Sequence, residues 1–290
     1  MENLRGAAIM VLAMLAFSVE DALIKLLAGS IPTGQIIAVL GLGGSCLFAT
    51  ICLRQGVALF PREAFRGAIL IRNLSELFGT MTFVTALTLI PLATASAILQ
   101  FAPLLVTLGA AVLYKEPVGW RRWSAITLGF VGVLIVIRPG MDGFDINVIF
   151  AVLGTLGLTA RDLSTRSAPA KISSIQLSFL AFTMLMPAGL LLTVINQTGL
   201  VAPTPTEWTL LATAVLIGGV AYYGITGAMR IGDISFVTSF RYSRILFALI
   251  IGAAFFGERP DLATYVGATI IVVSGIYTLW REQKVKSAAK

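Results

Sequence analysis

Two stretches decide how this chain is read: LATASAILQFAPLLVTLGAAVLYKEP at 92–117 and ISFVTSFRYSRILFALIIGAAFFGERP at 234–260. Each is a polar-flecked apolar run, then a small-residue stretch, then an aromatic, a glutamate and a proline. Glu116 and Glu258 correspond at an offset of 142, with the proline one residue further on in the second copy. Each stretch is followed by a Gly-containing apolar run, at 121–138 and 262–281. Upstream, FSVED (17–21) resembles LTARD (158–162) at an offset of 141. The chain therefore reads as an internal duplication.

Composition sets the solvent of these runs. Of 290 residues, 57% are hydrophobic and 12% charged, and mean hydropathy is +0.92. A soluble domain carries about 25% charged residues, so most of this surface is expected to face lipid. A span needs about 20 mainly apolar residues rising 1.5 Å each. Ten pieces meet that need, at roughly 4–27, 34–53, 67–88, 92–113, 121–138, 145–163, 174–195, 208–229, 234–256 and 262–281. Helices satisfy their own backbone in lipid, and the alternating ~10-residue segments of a β-barrel are absent from the pattern. The expected class is an all-α membrane protein. The opening Met-Glu-Asn-Leu-Arg and its apolar run read as a retained first helix, not a removed signal peptide.

Lys and Arg divide unevenly between alternate ends of these spans. With the N-terminus inside, fifteen fall on cytoplasmic segments, three (Lys25, Arg138, Arg259) on external ends, and three (Arg72, Arg241, Arg244) within spans. Positive charge accumulates on the cytoplasmic side, so both termini are placed there, in a cell inner (plasma) membrane. The same distribution accounts for the net charge of +7 without a nucleic-acid partner. Trp120, Trp123, Trp208 and Trp280 fall at span ends, as interfacial anchors do.

Five spans per copy is odd, so the second copy enters from the opposite face. The expected layout is a 5+5 inverted repeat, 1–140 and 141–282, with a basic tail at 283–290. Alternating-access carriers are built this way, with solute bound near the midplane between repeats.

The ten spans, the duplication and the P-L-A-T-A-S…Y-K-E-P block at 91–117 resemble the EamA family of the drug/metabolite transporter superfamily, over nearly the whole chain. The resemblance implies a carrier with a central cavity lined by the first, third, fourth, sixth, eighth and ninth spans, without soluble domain or cofactor. The run NLRGA (3–7), AFSVED (16–21) and the P-T-G-Q turn at 32–35 is similar to the family's bacterial riboflavin-importer branch. Riboflavin uptake is the specific expectation, with export of amino acids or drugs as its rival. The chain is expected to work as a monomer or homodimer.

Ionisable residues inside spans face a cavity or a partner. Arg241 and Arg244, at i, i+3 in the ninth span, cannot both reach the interface, and need water, carboxylates or an anionic solute. Glu20, Asp21, Glu76 and Asp162 are the available carboxylates. Glu20 reads as a proton or solute contact, or as the partner of Lys25 one turn on. Arg72 and Glu76, at i, i+4, share a helix face; the arginine reads as a structural pair and Glu76, deeper, as a cavity residue. Gln100 precedes Pro103, which removes a helical hydrogen bond, and offers a donor and an acceptor to a polar solute or to a neighbouring helix. Tyr242 occupies the repeat position of Gln100. Tyr222 and Tyr223, with Phe78 and Phe83, offer aromatic faces for a flat ring. Arg161 and Asp162 read as a local pair anchoring the cytoplasmic end of the sixth span.

Other chemistries find little support. The chain has no histidine, and Cys46 and Cys52 make neither a metal spacing nor a disulfide framework. GLGG (41–44) reads as close helix packing, and no Walker or dinucleotide fingerprint is present. An intramembrane enzyme acting on phosphate-bearing lipid would have only Ser239, Ser243 and carboxylates beside its arginines.

Overall fold

The structure is a computed structural model that describes residues 2–115, 119–141, 144–169, 171–228 and 234–288, without the side chains of Arg166, Thr226, Ile234, Ser235 and 282–288. Glu116, Pro117, Arg230 and Lys290, which carried part of the sequence argument, lie outside this set, as do the side chains of Lys284 and Lys286.

Every regular element among the described residues is helical. In chain order they are α1 Glu2–Leu27, α2 Thr33–Arg54, α3 Gly67–Leu89, α4 Leu92–Leu99, α5 Ala102–Leu113, α6 Trp120–Ile137, α7 Val148–Arg166, α8 Ser174–Ile195, α9 Pro205–Ala228, α10 Ile234–Ser239, α11 Ser243–Phe256 and α12 Leu262–Ala288. Short 3₁₀ turns at Arg62–Phe65 and Phe240–Tyr242 complete the set. Among the described residues nine stretches, counting Leu92–Leu113 and Phe236–Phe256 as one each, are long and apolar enough to cross a membrane. The chain is a multi-pass membrane protein. The expected third span is α3, 23 residues long, which falls outside the nine and carries Arg72, Asn73 and Glu76.

Two expected spans are interrupted rather than continuous. Between α4 and α5 the chain passes through Gln100 and Phe101. Pro103 has no N–H to give the Leu99 carbonyl, so the ladder tightens locally, with Phe101 N–H reaching the Ile98 carbonyl at 3.1 Å. Between α10 and α11 the 3₁₀ turn Phe240–Tyr242 takes the same place without a proline. A second difference concerns α7, which runs on to Arg166, so Arg161 and Asp162 lie inside the helix and not at its end.

The most extensive helix contacts pair α2 with α8, α3 with α7, α1 with α9, and α6 with α12. Lipid offers no hydrophobic drive for helices to associate, so close backbone approach through small residues supplies the contact. A Cβ added at Gly79 would sit 2.7 Å from the Leu158 amide nitrogen, and one at Gly157 2.6 Å from the Gly79 Cα. In α2–α8 a Cβ at Gly34 would lie 2.6 Å from the Gly189 carbonyl, and in α6–α12 one at Gly132 would lie 2.8 Å from that of Gly267. Gly41 of the GLGG run is pressed against the Leu185–Met186 backbone, as packing requires.

Polar ties join residues distant in sequence at both ends of the bundle. At one end the Gln35 amide donates to the Val201 carbonyl at 2.7 Å and accepts from the Val201 N–H at 2.9 Å. There too Arg138 pairs with Asp261, whose carboxyl the Thr264 backbone N–H, then the Thr264 hydroxyl and Arg138, hold below the ordinary aspartate range. At the other end Gln176 closes a capping box with Ser173 and donates to the Ala58 carbonyl at 2.9 Å, while Lys171 pairs with Glu63. The Lys171 hydrogen bond is the main cause that holds the Glu63 carboxyl below its usual range.

Candidate functional site

The two interrupted helices meet at their breaks. Gln100 Nε2 donates to the Arg241 carbonyl at 2.8 Å, across 141 residues of sequence. A backbone carbonyl freed from its helical ladder needs a donor in a dry interior, and Gln100, 5% exposed, provides it. Its amide donor is therefore engaged by the protein. Tyr242, the repeat counterpart, is 3% exposed and lies against Gly275 of α12.

Around this junction lie two charge clusters. In the first, Arg244 Nη2 donates to Asp21 Oδ2 at 2.6 Å. Its guanidinium also stands over the rings of Phe17 and Phe83, 5.0 and 5.9 Å from their centroids. Aromatic faces stabilise a desolvated cation, so Arg244 is held from three directions. Ser18 Oγ donates to the Met14 carbonyl at 3.0 Å and lies 3.3 Å from the Arg244 carbonyl. Glu20, next along α1, rests its carboxylate against Gly218 of α9.

The second cluster joins α3, α7 and α9. Arg161 reaches Glu76 at 3.1 Å and Asp162 at 2.8 Å. Arg72, 2% exposed, lies 3.7 Å from Glu76 and donates to Thr165, Asn73 and the Tyr222 hydroxyl at 3.1–3.2 Å. The Thr80 hydroxyl donates to Glu76 at 3.2 Å. Burying five donors of a guanidinium without partners would be costly, and here side chains from three helices take three of them. The local Arg161–Asp162 pair expected from the sequence is present, and both residues belong to this interior cluster instead of an interfacial anchor.

Glu20, Arg161, Tyr222 and Arg241 are surrounded by protein, yet each keeps accessible surface. Tyr222 packs edge-on against Phe48 and Phe182. Tyr223, by contrast, is 63% exposed on the outer face of α9, and Phe78 is also exposed. The local pair considered for Glu20 and Lys25 does not form. Lys25 binds Glu258 at 2.9 Å and the Ile90 carbonyl at 2.6 Å, while Glu258 accepts the Leu92 N–H at 2.8 Å.

Two cavities lie away from these clusters. One, of about 310 Å³, is bordered by Arg62, Glu63, Arg66, Ser167 and Pro169 near the Arg62–Phe65 turn. The other, of about 620 Å³, is apolar and runs between α5, α6 and α7, lined by Phe101, Leu105, Trp123, Phe130 and Leu156 among others. No cluster of three metal-ligating side chains occurs among the described residues.

Arg161 and Asp162 are the functional candidates that the sequence reading underweighted. The signal was available: Arg161 holds the repeat position of Glu20, and Asp162 that of Asp21, at an offset of 141.

The EamA-like transporter family model matches residues 4–138 and again 146–280. An S-adenosylmethionine uptake transporter of Rickettsia prowazekii is 23% identical over 289 residues, 98% of this chain and 96% of that protein. A riboflavin transporter of Rhizobium johnstonii is 27% identical over 282 residues, 96% and 92% of the two chains. A pseudopaline exporter of Pseudomonas aeruginosa is 24% identical over 273 residues, 93% and 94%. A solved crystal structure, 20% identical and covering 96% of this chain and 98% of its own, superposes with a TM-score of 0.61, a likeness of fold.

Proposed function

The chain belongs to the EamA-like transporter family, and from that premise we propose that it is a secondary carrier for a small metabolite, with the solute held between two five-helix halves of opposite orientation. The observation that carries this reading is the junction of the two broken helices, Gln100 on the Arg241 carbonyl, flanked by buried ion pairs in a bundle whose outside faces lipid. Intramembrane charge at discontinuous helices is the usual form of a carrier site.

Helix packing supports the inverted repeat. Exchanging α1 with α7, α2 with α8, α3 with α9 and α6 with α12 maps the α3–α7 contact onto α9–α1, and leaves α2–α8 and α6–α12 in place. Gln35 and Gln176, at an offset of 141, make the same kind of tie at opposite ends. On this reading α3 is the tenth span, with Arg72, Asn73 and Glu76 turned inward, and the halves are 1–140 and 141–282. The uneven Lys and Arg distribution favours both termini in the cytoplasm and a place in the inner membrane. Transport then proceeds by rocking of one half against the other. The Lys25–Glu258 and Arg138–Asp261 ties hold one face while the Gln176–Ala58 and Lys171–Glu63 ties hold the other.

Riboflavin and S-adenosylmethionine are the two solutes proposed for test, on the strength of the relatives. The solute contacts proposed are Glu20, Glu76, Tyr222, Arg241 and Arg244, with Gln100 and Tyr242 shaping the break. Purified protein in proteoliposomes is loaded with each labelled compound in turn, and counterflow is measured. Accumulation of either identifies it as a solute, and riboflavin-limited growth of a strain lacking synthesis tests the direction. A protein that moves neither, nor any compound of a wider metabolite set, would refute the carrier reading.

A further inference from the structure

The apolar cavity of about 620 Å³ lies away from the charge clusters and the proposed solute contacts. It is a groove between α6 and α7, floored by α4 and α5; α6 packs on α12 and α7 on α3, which leaves the two apart. Along α6 its wall is Trp123, Ile126, Phe130, Val133 and Ile137, one stripe at helical spacing. From Trp123 to Ile137 this stripe rises about 21 Å, more than the about 15 Å of one hydrocarbon leaflet. Phe130, Ile149 and Leu156 line the groove and are exposed, so it opens sideways, where the bilayer lies. Its two threonines spend their hydroxyls on their own helices: Thr127 donates to the Trp123 carbonyl at 3.1 Å and Thr155 to the Ala151 carbonyl at 2.8 Å. A polar solute would lose its water here and find almost no partner in return. A hydrocarbon chain gives up no hydrogen bond, and it fills space whose lining would otherwise forfeit packing contacts.

The two ends of the groove differ in charge. At the Trp123 end α5 finishes at Leu113 and α6 starts at Trp120, joined by a short connection. There Lys115, Arg121 and Arg122 gather, and among the described residues none of the three forms an ion pair. Arg122 stands one turn before Ile126, on the groove's own stripe. Helix side chains lean toward the N-terminus, which carries the Arg122 guanidinium past the apolar wall. Arg121 lies over the Trp120 ring, 5.3 Å from its centroid. Indoles at a span end mark the level of the lipid headgroups. At the opposite end Asp145 falls between the lining residues Phe144 and Ile146, and Arg138 is paired with Asp261. We propose that the groove between α6 and α7 binds an anionic phospholipid, one acyl chain along the α6 stripe and the phosphate at Arg122, with Arg121 and Lys115 behind it. Such a lipid joins negative charge to hydrocarbon and matches both features at once. The floor includes Ile98 and Phe101, on either side of Gln100, so the bound chain reaches the α4–α5 break from the bilayer. The site does not depend on the identity of the solute or on the carrier reading.

Trp123 lines the groove and serves as its reporter. The full-length protein with Trp120→Phe, Trp208→Phe and Trp280→Phe keeps it as the single tryptophan, and the phenylalanine at 120 leaves a ring beneath Arg121. The protein is placed in phosphatidylcholine nanodiscs that contain a small fraction of either phosphatidylglycerol or phosphatidylcholine with brominated chains, because bromine quenches an indole that it touches. Brominated phosphatidylglycerol is expected to quench Trp123 at fractions where brominated phosphatidylcholine does not. Arg122→Gln should weaken that preference about fivefold, the effect of one cation on an anionic headgroup, and Arg122→Lys should restore most of it. Val152→Phe, which fills the groove from α7, should reduce quenching by phosphatidylglycerol, and inorganic phosphate should not displace the lipid. Equal quenching by the two lipids, or a preference unchanged in Arg122→Gln, overturns the assignment. So does quenching that survives Val152→Phe, which places the lipid outside the groove, or displacement by phosphate, which reduces the site to a basic patch. Quenching by neither lipid together with a mass of two chains gives the groove to a second copy and also overturns it. Should the single-tryptophan protein fail to fold, native mass spectrometry of the unaltered protein, released from an equal mixture of the two lipids, decides instead. Retention of phosphatidylglycerol over phosphatidylcholine is expected, and equal retention overturns the assignment.

Discussion

Glu258→Gln removes one negative charge while keeping the shape of the side chain, and it tests whether the tie at the Lys25 end is a latch. In the structure the Glu258 carboxylate accepts Lys25 Nζ at 2.9 Å, the Leu92 N–H at 2.8 Å and the Ala93 N–H at 3.4 Å. It thereby pins the end of α1 and the start of α4 to the residues that follow α11. Lys25 and Glu258 are 17% and 9% exposed, so solvent screening is modest. Exchanging a charge-assisted hydrogen bond, worth about 1.5–3 kcal/mol, for a neutral one of about 1 kcal/mol removes about 1–2 kcal/mol at Lys25. The weaker acceptance of the two backbone N–H groups brings the total to about 2 kcal/mol. If these contacts exist only while this face is shut, the open population rises about 30-fold. The assay begins from a Cys46→Ala/Cys52→Ala background, both native cysteines being free thiols, with Phe17→Cys as a reporter beside Arg244. A membrane-impermeant thiol reagent is added from the Lys25 side. Labelling should quicken about 30-fold in Glu258→Gln, and by a similar factor in Lys25→Gln, with no further gain in the double variant. An unchanged rate in a variant that retains its thermal stability would show that the tie is static, and the latch argument would fail.

Other outcomes follow from the same contacts. Asp21→Asn leaves Arg244 buried without its carboxylate and should cost about 3–5 kcal/mol; thermal unfolding in detergent reads this, and adding Arg244→Gln should restore part of the loss. Gly79→Ala drives a methyl to 2.7 Å from the Leu158 nitrogen, so α3 and α7 must separate, at about 1–3 kcal/mol and with a lower unfolding temperature; unaltered stability would mean the two helices do not approach so closely. Gln100→Leu strips the Arg241 carbonyl of its donor, at about 1–3 kcal/mol, and should weaken solute binding more than Ser96→Ala does, measured as a ratio of affinities. The Arg138–Asp261 pair should hold through neutral pH. Because the folded aspartate lies below its unfolded value of about 3.9, its contribution is present above that value and is lost as pH falls through the lower folded one. With Asp261 44% exposed the pair is worth about 0.5 kcal/mol, so Arg138→Gln should shift stability slightly at pH 7 and progressively less as pH falls through the range in which the folded aspartate takes up its proton.

The sequence by itself determined the solvent and the existence of a break near Gln100, because hydropathy and a proline act within one or two helical turns. It also placed polar, ionisable side chains where lipid forbids them, and so marked out Glu20, Glu76, Arg241 and Arg244 before any contact was known. What only the tertiary structure decided is which charges neutralise one another. Spacing offered Lys25 to Glu20, but a side chain that can reach either a local carboxylate or a distant one follows the packing, and the approach of the residues after α11 gave it Glu258. Arg161 looked like an interfacial anchor because the apolar run thins before it; the extra turn of α7 and the close α3–α7 contact at Gly79 and Gly157 carry it inward to Glu76. Electrostatic pairing depends on separations of a few ångströms between residues up to 233 positions apart, such as Lys25 and Glu258. That distance is fixed by how helices pack, so the partner each buried charge takes becomes visible only when the bundle is assembled.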